Sequence, residues 1–309
     1  MEVRLTDKLF YFKTIKADNF SWSVARRELF AFCERACFYH YYGASGGFDG
    51  YSDPNTKKLY LLKKLIPGRL WLDNIFSKSL RATLTQSIQA KTTQDMAADF
   101  SRRLIREFHL GRRIVEAKEW RSDPGKLNLL ELYYNEISVD KHFAVLWNTL
   151  ESRFKNFAAS NLPAILHKVD NLDWKRIPVP ASFAIGKLQL WIAPDLIWQD
   201  GDCISILDLN ASGQNEEKRN TYAALNVIFA EAKLKISPEK VISLFFNDAN
   251  RQTELQGLEN LNISRAMEGI SASAAKMLEK ISQDGTVQGI NFAASEQNCA
   301  RCRFREFCN

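Results

Sequence analysis

The chain has 309 residues, 46% hydrophobic and 25% charged, with a formal net charge of +6 and a sequence pI near 8.9. A chain of this size buries roughly three quarters of its unfolded surface, its composition is that of an ordinary globular protein, and its mild basicity permits a polyanionic partner without demanding one. No uninterrupted apolar run reaches the roughly 18 residues of a transmembrane helix, and the N-terminal MEVRLTDKLFYF lacks the apolar core and cleavage site of a signal peptide, so a cytoplasmic protein with no membrane partner is expected.

The first part of the chain reads as helical. SWSVARRELFAFCERACFYHYYGA, residues 21–44, opens on a serine suited to an N-cap and runs out at Gly43, which predicts a helix. GRLWLDNIFSKSLRATL, residues 68–84, places Leu72, Ile75, Phe76, Leu80 and Leu84 on one helical face. Residues 93–120 continue the pattern with Phe100, Leu104 and Phe108. On the other side of that segment Arg102, Arg106, His109 and Arg113 recur at i, i+4, i+7 and i+11, a cationic stripe that suits either solvent or a phosphate backbone. A further helix is predicted over 139–158.

The pattern changes near residue 177. IPVPASFAIGKLQLWIAPDLIWQDGDCISILDLNASG alternates in short runs broken by Gly186, Pro194 and Asp200-Gly201, which predicts three strands with a tight turn at Gly201. A helix over 217–234, a buried strand over 240–248 (KVISLFFND) and a long helix over 250–283 complete the reading. Residues 204, 206, 208 and 210 share one face of the last hairpin strand, so Asp208 ends an otherwise apolar face of Ile204 and Ile206. The sum is an α/β protein with a mixed central sheet flanked by helices. We expect a single domain over 1–309 made of a mainly helical part at 1–176, a sheet-bearing core at 177–290 and a cysteine-rich tail at 291–309.

Six cysteines stand at 33, 37, 203, 299, 302 and 308. In a reducing compartment they point to metal ligation or burial and not to disulfides. The tail, CARCRFREFC, sets Cys299, Cys302 and Cys308 in a C-x2-C-x5-C pattern, and a fourth thiolate is available from FCERAC, as Cys33 or Cys37. Four thiolates suit either zinc or an iron–sulfur cluster, and the single C-x-x-C knuckle with one distant partner favours the cluster. Cys203, between strand residues, reads as core. Arg301 and Arg303 interleave with the tail cysteines and, with Arg102, Arg106 and Arg113, form the candidate DNA-contacting set.

One cysteine in an early helix followed by Arg35 and the aromatics Phe38, Tyr39, Tyr41 and Tyr42, then C-x2-C-x5-C at the far end, resembles the RecB-like iron–sulfur branch of the PD-(D/E)xK nuclease superfamily. The resemblance spans nearly the whole chain. It implies a restriction-endonuclease-like core and a 4Fe–4S cluster held by Cys33, Cys299, Cys302 and Cys308, with Cys37 as the alternative to Cys33. It also matches Pro194-Asp195 and Asp208-Leu209-Asn210 to the catalytic motif. Two carboxylates on adjacent strands chelate Mg²⁺ or Mn²⁺ and activate water. The family's lysine, which stabilises developing charge, stands here as Asn210. Its metal-binding histidine falls near Ser77, and its Gln–Tyr pair near Ala224 and Ile228 or near Lys218 and Tyr222. Lys187 or Lys218 could supply the missing charge from elsewhere. The resemblance therefore implies a nuclease-fold DNA-binding protein with a degenerate site, working with other protein subunits of a DNA-processing or defence complex. An active divalent-metal-dependent nuclease is the alternative.

Overall fold

Ser23 starts the first helix by accepting the Arg26 N–H on its hydroxyl at 3.1 Å, and the resulting helix α1 (Val24–Phe32) stops at Cys33, whose backbone is extended. The Cys33 sulfur then accepts the Ala36 N–H at 3.5 Å and caps α2 (Glu34–Phe38). A π-turn over Tyr39–Gly43 closes the segment. The single helix expected over 21–44 is thus broken in two, and its first residues, β1 (Ser21–Trp22), pair into a sheet. The computed structural model describes residues 20–86, 92–170, 179–209, 216–247, 252–257, 261–281, 290 and 295–308.

Helix α3 (Pro54–Lys63), which the sequence pattern did not reveal, carries the usual start signals: Asp53 accepts the Thr56 N–H at 3.0 Å and proline occupies the first turn. Helices α4 (Gly68–Gln86), α5 (Thr93–Glu116), α7 (Val139–Ala158) and α8 (Leu162–Asp170), with the single turn α6 (Leu130–Tyr133) between them, then build one core. Phe76, Phe100 and Phe157 meet edge to face at its centre, with ring centroids 4.9 to 5.8 Å apart. Gly111 is required there, because a Cβ on it would come within 2.3 Å of the Trp71 ring.

The strands number more than expected. β2 (Ala181–Ile185) and β3 (Leu188–Ile192) form a hairpin turned at Gly186, φ +56°, and β3 also pairs in parallel with β1. After Ala193-Pro194 the chain leaves this sheet. Proline cannot donate to a ladder, so the register ends there. β4 (Leu196–Asp200) and β5 (Cys203–Asp208) follow as an antiparallel pair turned at Gly201, also at φ +56°. Helix α9 (Glu216–Phe229) carries the chain to β6 (Val241–Asn247), which pairs in parallel with β5, and β7 (Gln252–Gln256) pairs antiparallel with β6. The described strands therefore make a three-stranded sheet, β1-β3-β2, and a four-stranded mixed sheet, β4-β5-β6-β7. The long helix expected over 250–283 is instead β7 followed by α10 (Ile263–Leu278), which Asn262 caps by accepting the Arg265 N–H at 2.9 Å.

Strand alternation decides what each face of the four-stranded sheet meets. Leu196, Trp198, Leu207, Leu244 and Phe246 join the core of α4, α5, α7 and α8. Ile197, Ile204, Ile206 and Val241 join a second core with α9, α10 and the three-stranded sheet. Burial on both faces explains why β5 and β6 read as nearly continuous apolar runs. The chain is thus mixed α/β, and none of its described helices is long and apolar enough to cross a membrane.

The tail, with α11 (Glu296–Ala300) and α12 (Arg305–Cys308), packs on the opposite end of the chain. Cys302, Phe304 and Phe307 share a third core with Ala36, Phe38, Tyr39, Leu59 and Leu62. The Asn298 amide donates to the Phe32 carbonyl at 3.0 Å, and the Tyr134 hydroxyl to the Arg303 carbonyl at 2.9 Å.

Candidate functional site

Two groups of chemistry-bearing side chains emerge. The first sits where β4 and β5 meet. Asp195 stands one residue before β4, and its N–H donates to the Leu207 carbonyl at 2.8 Å, one residue out of step with the ladder that pairs Leu196 with Leu207. This local bulge turns the Asp195 carboxylate back onto the strand, where it accepts the Leu209 N–H at 2.7 Å. Ser77, on α4, donates its hydroxyl to the other carboxylate oxygen. Arg81, one turn further along α4, brings Nη2 to 3.7 Å from that same oxygen. Asp208, at the end of β5, accepts from the Asn226 amide of α9 at 3.2 Å, and Asn226 also donates to the Ser243 hydroxyl at 3.2 Å.

Both carboxyls are buried, and their protonation follows from that. Burial raises Asp195 to about 6, against the lowering pull of the Leu209 N–H and of Arg81 and Arg153. Burial raises Asp208 to about 7, the Asp195 charge adds to the rise, and Asn226 opposes it. Two acids held this way share their sites with protons near neutrality, and a cation placed between them would displace those protons.

The position matched to the family's histidine, Ser77, touches Asp195 directly. Of the positions matched to the Gln–Tyr pair, Tyr222 lines a cavity with Asp208, while Ala224 and Ile228 are buried apolar residues. Lys218 is not aimed at the acids, because its ammonium pairs with Glu28. Asn210 lies outside the described residues. Sequence reasoning missed Arg81 and Asn226. Each stands four residues, one helical turn, beyond a residue the resemblance had already picked out, Ser77 and Tyr222, and that spacing was the available signal.

The second group is the cysteine end. Cys33, Cys299, Cys302 and Cys308, together with Arg35, line one cavity of about 170 Å³ between the α1–α2 break and the tail. The Phe304 N–H donates to the Cys302 sulfur at 3.4 Å, as Ala36 does to Cys33. Burial pushes the Cys302 thiol up to about 11 and raises Cys308 as well. Cys37 is not part of this cavity. Its thiol donates to the Arg26 carbonyl at 3.9 Å and burial pushes it up to about 12. Cys203 stands at the start of β5, in register with Asp200. Among the described residues, no three His, Cys, Asp or Glu side chains come together closely enough to hold a metal ion as they stand.

The five arginines singled out from the sequence fall into two kinds. Arg102, Arg106, Arg113 and Arg301 are exposed, with Arg102 and Arg106 only loosely paired, to Asp99 at 3.4 Å and Glu107 at 3.9 Å. Arg303 differs from expectation. It is partly buried and donates to the Lys63 carbonyl at 3.1 Å, holding the tail on α3 in place of facing solvent. Compared with models of protein families, with curated proteins and with solved structures, the chain finds no match.

Proposed function

We infer that this is a nuclease-fold DNA-binding protein built around a 4Fe–4S cluster, with a degenerate nuclease site, acting as a subunit of a larger DNA-processing or defence complex. The observation that carries the reading is the meeting of Cys33 with Cys299, Cys302 and Cys308 around one cavity, from opposite ends of the chain. A cavity of about 170 Å³ lined by these four cysteines has more room than a single zinc ion needs, which suits a cluster. They are the residues that would hold it. Cys37, turned to the Arg26 carbonyl, would not. When bound, such a cluster supplies a redox-active centre and thiolate bonds that clamp the tail onto the early helices.

The strand and helix order from β4 to β6, an antiparallel hairpin, a helix and a parallel strand with acids at the hairpin's end, supports a restriction-endonuclease-like core. The degenerate reading rests on Asp195, whose carboxylate is already met by Ser77, the Leu209 N–H and Arg81. A carboxylate so engaged has less to offer a metal. The alternative, an active metal-dependent nuclease, is favoured by Asp208, whose side chain opens into a cavity. The test is anaerobic purification followed by visible spectroscopy and by cleavage assays on single- and double-stranded DNA with Mg²⁺ and Mn²⁺. Brown protein that binds but does not cleave DNA is expected. Colourless protein with stoichiometric zinc overturns the cluster, and Mg²⁺-dependent cleavage lost in Asp208→Ala moves the chain to the active class.

A further inference from the structure

Beside Asp208 lies a cavity of about 270 Å³, formed where the start of α1, the end of β3 and the middle of α9 face one another. Its lining is mainly apolar and includes Trp191, Pro180, Leu225 and Tyr222. Polar groups are few: Asp208, Asn226, Ser23 and the Tyr222 hydroxyl. Asn226 is already committed to Asp208 and Ser243. Trp191 is 40% exposed and lines the same cavity as the buried acid Asp208.

The volume falls just below the roughly 300 Å³ at which pockets for small organic ligands begin. It takes one ring system and excludes a duplex. A planar, aromatic ligand with a polar edge matches both the walls and the sparse donors. A nucleobase is such a ligand, and stacked in a duplex it has no access to a recess of this kind. We propose that this cavity receives one unstacked nucleobase of single-stranded DNA, stacked against Trp191 beside Asp208, and that the protein therefore selects single-stranded or splayed DNA over duplex. The inference rests on the DNA-binding reading above and adds to it a substrate class. Recognition is tolerant of base identity, because every base offers a π-face and only Tyr222 and Asp208 remain to read the edge.

Three variants separate the possibilities. Trp191→Ala removes the stacking surface from an exposed position. Ala25→Trp and Ala193→Trp block the cavity from residues that are themselves exposed, so the core is left alone. Binding is read by anisotropy with a labelled single-stranded oligodeoxynucleotide and with its duplex, without divalent metal, and by the emission of 2-aminopurine placed within the single strand. Base–aromatic stacking is worth roughly a 5- to 150-fold change in affinity per base. The expected result is a loss in that range for single strands in all three variants, unchanged duplex binding, and loss of the 2-aminopurine response. Wild-type affinity for single strands in the two blocked variants overturns the base pocket while leaving DNA binding in place. Absence of binding to either form of DNA by the wild type overturns both the pocket and the DNA-binding reading on which it rests.

Discussion

Asp208→Asn should stabilise the metal-free protein, and the gain should grow with pH. The aspartate ordinarily ionises near 3.8, and in the fold burial and the Asp195 charge hold it up at about 7. Below the lower value both states carry the proton and the group is silent. Between the two values the unfolded chain gives up its proton while the folded chain keeps it, so rising pH favours unfolding, and the cost is complete above the folded value. Moving one carboxyl from 3.8 to about 7 amounts to about 4 kcal/mol, as a ceiling. Water entry and relaxation of the site reduce it, to on the order of 2 kcal/mol. Asparagine keeps the shape and the hydrogen-bonding capacity toward Asn226 but never carries the charge. Asp195, raised to about 6, acts in the same direction and remains in the variant, so the informative quantity is the difference between two pH profiles. Thermal melts in chelator should coincide near pH 4 and diverge through pH 7, reaching roughly 4 °C in favour of the variant at pH 8. At pH 8, Mn²⁺ should recover part of that difference for the wild type and none for the variant. Parallel profiles, or a variant less stable at pH 8 than the wild type, would refute the picture of a strained acidic pair.

At the other end of the molecule, Cys33→Ala, Cys299→Ala, Cys302→Ala and Cys308→Ala should each give colourless or poorly soluble protein after anaerobic purification, whereas Cys37→Ala should keep its colour; loss of colour in Cys37→Ala with retention in Cys33→Ala would reverse the ligand assignment. Charge reversal at Arg102, Arg106 and Arg113 together should weaken DNA binding and flatten its salt dependence without lowering the melting temperature, and unchanged affinity would return that stripe to plain solvation. Arg303→Ala should destabilise the fold by about 0.5–1.5 kcal/mol through loss of the bond to the Lys63 carbonyl, read as a lower melting temperature, with a weaker effect on DNA affinity than Arg301→Ala. Arg81→Gln should strengthen Mn²⁺ binding in a calorimetric titration by freeing Asp195; a weakened or unchanged affinity would mean that Arg81 is not the residue competing with the metal.

Much of the helical layer was legible because period alone carries it. Phe100, Leu104 and Phe108 announce α5 from within the element, and all three are buried. The turn at Gly201 was legible for a similar reason, since a positive φ between two short apolar runs leaves few other residues a place. What could not be read is what depends on distant partners. The break at Cys33 has no local breaker such as proline or glycine. It arises because a sulfur caps the next helix, a weak signal in sequence that becomes clear only when the tail packs alongside. β7 does not read as a strand from sequence, because its polar residues make no strand pattern until β6 pairs with them.

The candidate site divides along the same line. Cys299, Cys302 and Cys308 declared themselves by spacing within ten residues of chain. The contact between Ser77 and Asp195 joins residues 118 positions apart, and nothing in the neighbourhood of either foretells the other. That separation also bears on what Asp195 can still bind. A carboxylate whose neighbours include a serine and an arginine from another helix is satisfied without metal, and its bond to the Leu209 N–H holds the end of β5. The presence of acids at 195 and 208 is therefore weak evidence for cleavage. Their partners are better evidence: Asp195 is met by Ser77, Arg81 and the Leu209 N–H, whereas Asp208 accepts from Asn226 and lines a cavity, which makes it the more available of the two.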